Sequence, residues 1–206
     1  MIMKKFLPLI VSLLLTNAVL AAPITFDFKD PKGVNNAVFK LDAILESING
    51  TATGISGLVQ FDPEAPGAFT GKIIIAANSL NVPNSMMKDH LLSEKWIDAA
   101  KYPEISFVME KSSNVKTSGN DTTANVTGTI TIKGVKKTIT APVKISYLKD
   151  KLKARLPQLD GDLLVIRANF KVKRSDFNIN PGQFEEKVSD EIDISLSIAG
   201  QAPKAK

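Results

Sequence analysis

The chain has 206 residues, a formal charge of +5 from 26 basic and 21 acidic residues, one histidine and no cysteine. That mild balance, with no polybasic arm, excludes the electrostatic footprint of a nucleic-acid binder. Without thiols there are no disulfides and no lipid-modified cysteine anchor, and a single histidine leaves no zinc or copper ligand set.

Residues 1–21 read as a cleaved export leader, and residues 22–206 as one domain. Lys4 and Lys5 make the charged start, Phe6 to Leu15 an apolar centre too short to span a bilayer, and Val19-Leu20-Ala21 the cleavage site. From Ile24 the pattern has period two. Val38 to Leu45 places Phe39, Leu41 and Leu45 on one face and Lys40 and Asp42 on the other. Asn49-Gly50 predicts a two-residue hairpin turn, because both residue types tolerate positive φ. The return strand carries Val59 and Phe61 and stops at Asp62-Pro63, and Thr70 to Leu80 predicts a further strand with Ile73 and Ile75 on one face.

Alternation gives way to helical spacing between Asn84 and Ala100. Met87 and Leu91, Leu92 and Trp96, and Trp96 and Ala100 are four apart, so they stack on one side of a helix expected to be buried. Asn84 and Ser85 after Pro83 signal the start, Asp89 is placed near the positive helix end, and Ser93-Glu94 suits the cap of a second short turn. Such a plug serves either as a lid over a cavity or as a fixed cover for a sheet end. It contains His90, the only histidine, and Trp96, the only tryptophan.

Ile105, Phe107 and Met109 restart the alternation, and the Ser-, Asn- and Thr-rich stretch from Ser112 to Thr123 reads as a mobile connection. Val126, Gly128, Ile130 and Ile132 share one face, with Thr127, Thr129 and Thr131 on the other, and Lys133-Gly134 turns the chain. Ile139 to Tyr147 continues the apolar face through Ile145, with Pro142 limiting ladder hydrogen bonding. A polar crossing from Lys149 to Gly161 leads to Ile166, Ala168, Phe170 and Val172. After a loop at Pro181-Gly182, Ile192, Ile194, Leu196 and Ile198 close the chain. About eight strands with one helical insertion describe an antiparallel barrel or sandwich, and an eight-stranded barrel is just wide enough for one small ligand.

Several segments together resemble the YceI-like family of exported proteins. They are Phe61-Asp62-Pro63, Ser79-Leu80, Asp89-His90-Leu91 with Ser93, Ala99-Ala100-Lys101-Tyr102-Pro103, the run Gly128 to Val135, and Lys173-Arg174-Ser175-Asp176-Phe177. Family members often carry a glycine after that Asp-Phe, where this chain has Asn178. The resemblance implies a mainly β fold: a lipocalin-like, antiparallel eight-stranded barrel with a helical insertion near residues 84–100. It further implies a periplasmic protein holding an isoprenoid or other long-chain lipid, with no cofactor and no catalytic residue. The implied ligand-binding residues are Phe39, Leu41, Val59, Phe61, Ile73, Ile75, Phe107, Ile130, Ile132, Ile145, Tyr147, Ile166, Phe170 and Ile194 within the barrel. His90, Leu91, Trp96 and Arg174 join them at its mouth. Alternation alone fits a filled core better than a cavity, and the resemblance reverses that order.

Three points stay open at this level. His90 suits either a ligand head group or a tie from the helix to a strand carbonyl, and as the sole histidine it is the only base for an enzyme acting on a hydrophobic substrate. Arg174 and Asp176 are two apart and suit pairing or holding a loop better than binding a head group. Lys133, Lys136 and Lys137 read as a solvated hairpin edge, with transient contact to a membrane surface as the alternative. A homodimer is likewise left open.

Overall fold

The structure, a computed structural model, describes residues 22–204. The leader expected over residues 1–21 lies outside the described residues. Eight strands pair antiparallel in a ring: β1 (Ile24–Asp27), β4 (Ile55–Phe61), β5 (Thr70–Ala76), β7 (Glu104–Ser118), β8 (Asp121–Ile132), β9 (Val135–Leu148), β10 (Gly161–Lys173) and β11 (Glu191–Pro203). Pairing of Asp27 with Gln201 joins β1 to β11 and closes the barrel. Apart from Leu45, the inward rows expected from alternation face the interior, some residues buried and others, such as Phe107, Phe170 and Ile194, half-buried. In β8, Thr122, Ala124, Val126, Gly128, Ile130 and Ile132 are all buried, and the residues between them are not.

The barrel has a closed end and an open end, and two departures from perfect pairing make the difference. Beyond its contact with β1, β11 pairs instead with β2 (Asn36–Asp42), which carries β3 (Ser47–Ala52) and the two-residue β6 (Leu80–Asn81) as a wing outside the ring. On the other side β9 pairs with β10 only from Val143 to Leu148. The parting falls just after Pro142, a residue with no N–H to donate. The short 3₁₀ turn Arg174–Phe177 follows β10 at this parting, and Asp176 meets Lys137 of β9 at 3.7 Å.

The closed end is solid. Phe26, Phe28, Val59, Phe61 and Leu164 are fully buried there, Tyr147 packs edge-on to Phe26 at 6.3 Å, and Leu152 of α2 (Leu152–Arg155) is fully buried as well. Gly200 is required at this point, since a Cβ on it would stand 2.6 Å from the Phe28 ring.

Four local expectations are corrected. Asn49-Gly50 is not a turn but lies within β3, with Gly50 opposite Phe39; a Cβ on Gly50 would collide with the Phe39 ring, so the glycine makes room for an aromatic rather than a bend. The turn falls instead at residues 43–46, closed by the Ala43 N–H donating to the Glu46 carbonyl at 2.9 Å, which leaves Leu45 outside the inward row. Ser112 to Thr123 is not a mobile connection: it continues β7 and β8 to a tight turn at Gly119 (φ 56°), because its β-branched threonines pair across strands, Thr117 with Thr122 at 3.3 Å. The helix α1 (Ser85–Leu92) is shorter than expected, and none of its residues is fully buried. Ser93 ends it by donating its hydroxyl to the His90 carbonyl at 2.6 Å, so Trp96 sits in the following loop, and no acidic residue falls in the first turn. The start is as expected, with the Asn84 side chain accepting from the Met87 N–H at 2.9 Å.

Candidate functional site

Above the solid end the barrel encloses a cavity of about 980 Å³. Its wall is built from the inward rows: Phe39 and Leu41 of β2, Ile73 and Ile75 of β5, Phe107 of β7, Ile130 and Ile132 of β8, Ile145 of β9, Ile166 and Phe170 of β10, and Ile194 of β11. Leu91 and His90 of α1, Trp96 and Arg174 lie around its mouth. Fifteen of the eighteen residues expected at a ligand site therefore line one space. The other three, Val59, Phe61 and Tyr147, belong to the closed end: Phe61 and Tyr147 pack ring to ring at 6.0 Å, and the fully buried Phe26 fills the space beside them. Filled core and cavity are thus both present, stacked along one axis.

Several lining residues follow no alternating row. Phe177, Ile179, Phe184 and Val188 come from the connection between β10 and β11, and Ile97 from the loop after α1. Loops carry no period, so the only signal for them is the presence of large apolar residues in otherwise polar sequence.

That connection is organised by Arg174, which is 1% exposed. Its Nε donates to the Ser189 carbonyl at 3.3 Å, Nη1 to the carbonyls of Ile179 at 2.9 Å and of Asn180, and Nη2 to those of Gln183 and of Val188 at 3.3 Å. All five guanidinium N–H groups are used, which is how a charge is buried without a carboxylate. Arg174 therefore holds the loop, as one of its two expected structural roles had it, and keeps no N–H for a head group. It does not pair with Asp176. Asn178 adopts φ 55°, the left-handed conformation that glycine favours and that asparagine tolerates better than other residues.

His90 stands exposed on the last turn of α1. Among the described residues its ring makes no hydrogen bond and no ion pair, so the tie to a strand carbonyl is not formed. No cluster of three or more His, Asp or Glu side chains suited to a metal occurs among the described residues. The ionisable groups around the cavity, Glu46, His90, Lys95, Arg174 and Lys187, come from α1 and the turns and loops rather than from the strands of the ring, whose polar contribution includes Ser106 of β7. The wall is mainly apolar and the ionisable groups gather at one end. Among the described residues no helix is long and apolar enough to cross a membrane.

A family model described as the YceI-like domain matches residues 26–200. The chain belongs to the YceI-like family. Protein YceI of Escherichia coli is 29% identical over 155 residues, covering 75% of this chain and 74% of that protein. A UPF0312 protein of an Enterobacter species is 29% identical over 156 residues, covering 76% of this chain and 74% of its own length. Among solved structures, the Campylobacter jejuni YceI protein superposes with a TM-score of 0.60 at 27% identity, covering 75% of this chain and 85% of that one. A domain from Saccharophagus degradans, described as polyisoprenoid-binding and implicated in plant cell wall breakdown, has a TM-score of 0.57 at 12% identity, covering 89% and 99%. At that identity the likeness shows the YceI-like barrel alone.

Proposed function

We propose that this YceI-like protein binds, and stores or carries, an isoprenoid or other long-chain amphiphile, with the tail in the barrel and the polar end at the mouth. The observation that carries the reading is the cavity itself: about 980 Å³, walled mainly by aliphatic and phenyl side chains, stopped at one end by a solid aromatic core, with its charged groups supplied by the helix, turns and loops of the other. Burying roughly 300 Å² of hydrocarbon at about 25 cal/mol per Å² supplies about 7 kcal/mol before ordering costs, so affinity needs no strong polar contact. The description of the Saccharophagus domain as polyisoprenoid-binding supports the same ligand class. An unpartnered His90 favours binding over acid–base chemistry, which needs an oriented base. The apolar leader supports export to the periplasm, where the mature chain would work.

The test is native mass spectrometry of the mature protein taken from periplasm without detergent, followed by solvent extraction. A stoichiometric added mass, released as a prenyl or acyl lipid, is the expected result. An apo mass together with no saturable uptake of any prenyl or acyl lipid would overturn the reading.

A further inference from the structure

The open end carries exposed apolar side chains that the core does not account for; Met86 and Phe184 also edge the cavity, but Ile44 and Leu45 line no part of it. Ile44 is 90% exposed and Leu45 61%, both at the tip of the β2–β3 turn, a place where polar residues are the rule. Met86 on the first turn of α1 is 68% exposed, and Phe184 in the β10–β11 connection 59%. Three separate segments thus present large apolar groups around one mouth. They are held together: the Leu45 N–H donates to the Glu186 carbonyl at 2.9 Å, and the Phe184 ring lies 6.2 Å from that of Trp96. Phe184 adopts φ 60°, a conformation that disfavours a bulky residue and suits glycine or asparagine. Phe184 lines the cavity with one face and leaves the other exposed, so it joins the apolar wall to the outer rim.

We propose that this rim docks on the surface of a neutral phospholipid bilayer, so that the amphiphile passes between membrane and cavity without crossing water. The proposal rests on reading the cavity as a lipid site. The charges interspersed around the rim decide between kinds of surface. On the rim segments Lys88, Lys95 and Lys187 are interspersed with Glu46, Asp89, Glu94, Glu185 and Glu186, a mixture of signs complementary to zwitterionic head groups and not to a strongly anionic layer. The apolar tips enter the head-group region, and the exposed surface is continuous with the apolar wall inside.

The experiment measures co-sedimentation of the mature protein with phosphatidylcholine vesicles, and with vesicles containing phosphatidylglycerol, at low and high salt. It is repeated for the variant Ile44→Ser/Leu45→Ser, whose two positions line no part of the cavity. Uptake of a fluorescent prenol analogue in vesicle-free solution is followed in parallel. Expected are partition to phosphatidylcholine that salt leaves unchanged, and a loss of about tenfold or more in the variant with prenol uptake intact. No partition, partition unchanged in the variant, or partition only to phosphatidylglycerol vesicles at low salt would overturn the proposal. So would a concentration-dependent dimer abolished by the same variant, since a second copy would then cover the rim. If partition and its loss in the variant persist while prenol uptake fails, docking stands and the lipid-site reading falls.

Discussion

Asp30 illustrates how single side chains hold the closed end. Its carboxylate, 2% exposed, accepts the N–H groups of Lys32 at 3.0 Å and of Val34 and Asn35 at 2.6 Å, and pairs with Arg155 at 3.0 Å. Burial alone would push its pKa up, but those N–H groups and the guanidinium outweigh it and hold the group below the usual carboxylate range. A depressed folded-state pKa stabilises fully above the unfolded value of about 4 and is lost as pH falls through the folded value. The urea midpoint should therefore drop as pH falls below about 4, and Asp30→Asn should lower it at neutral pH while flattening that acid limb. A variant with the wild-type acid limb would show that other carboxylates carry it. Arg174 makes the corresponding case at the open end. Arg174→Lys leaves three donors for five carbonyls and should cost about 2–3 kcal/mol, with amide hydrogen exchange accelerating between residues 175 and 190 and not in β8.

At the scale of elements, α1 is the loosely held part of the mouth. No residue of it is fully buried, and its docking to the remainder relies on Leu91 and Leu92, half-buried against the core, with Met87 and Leu91 lining the cavity. Trp96 follows it, stacked near Phe184 on the opposite loop, and as the only tryptophan it reports on the mouth. Loading with a prenol should shift its emission, and Asn84→Ala, costing about 1 kcal/mol of helix stability, should speed ligand release more than it lowers the global unfolding midpoint. An unchanged spectrum with ligand bound would make the helix a fixed cover. The same elements show what was legible beforehand. Strand faces were readable wherever burial alternates over many residues, as in β8, because a one-residue slip would expose the whole row. Local turn chemistry misled at Asn49-Gly50, where a tertiary contact with Phe39 gave the glycine another purpose, and the Ser- and Thr-rich stretch misled because its polar composition masked its fitness for a strand. Helical spacing ran on from Leu92 to Ala100 in sequence, but Ser93 took the carbonyl at the helix end and the chain turned away. The loop residues of the mouth, Phe177, Ile179 and Phe184, had no period to reveal them, and Arg174 shows its purpose only once five carbonyls converge on it.

For the whole molecule, one barrel divides into a half that stores folding free energy and a half that forgoes it. A continuous inward row crosses both: β9 passes from Ile139 at the cavity to Tyr147 in the solid end, with no change in the sequence pattern. What separates the halves is the supply of extra aromatic volume. Phe26 and Phe28 from the N-terminal segment and Leu152 of α2 fill the closed end, while at the other the wing and the parted β9–β10 seam widen the ring. The halves should therefore respond oppositely to mutation. Phe61→Ala, in the solid end, removes packed atoms and should cost about 3–5 kcal/mol while leaving the affinity of the folded protein for a prenol nearly unchanged. Ala168→Leu, on the buried face of β10 that lines the cavity, adds atoms where there is room; stability should change by less than about 1 kcal/mol, while prenol affinity falls severalfold because the added methyl groups occupy ligand volume. Chemical denaturation and prenol titration on the two variants would check this. A large stability loss in Ala168→Leu would mean the cavity wall is packed tightly enough to behave as core, and the open half would then be built for rigidity rather than for a guest.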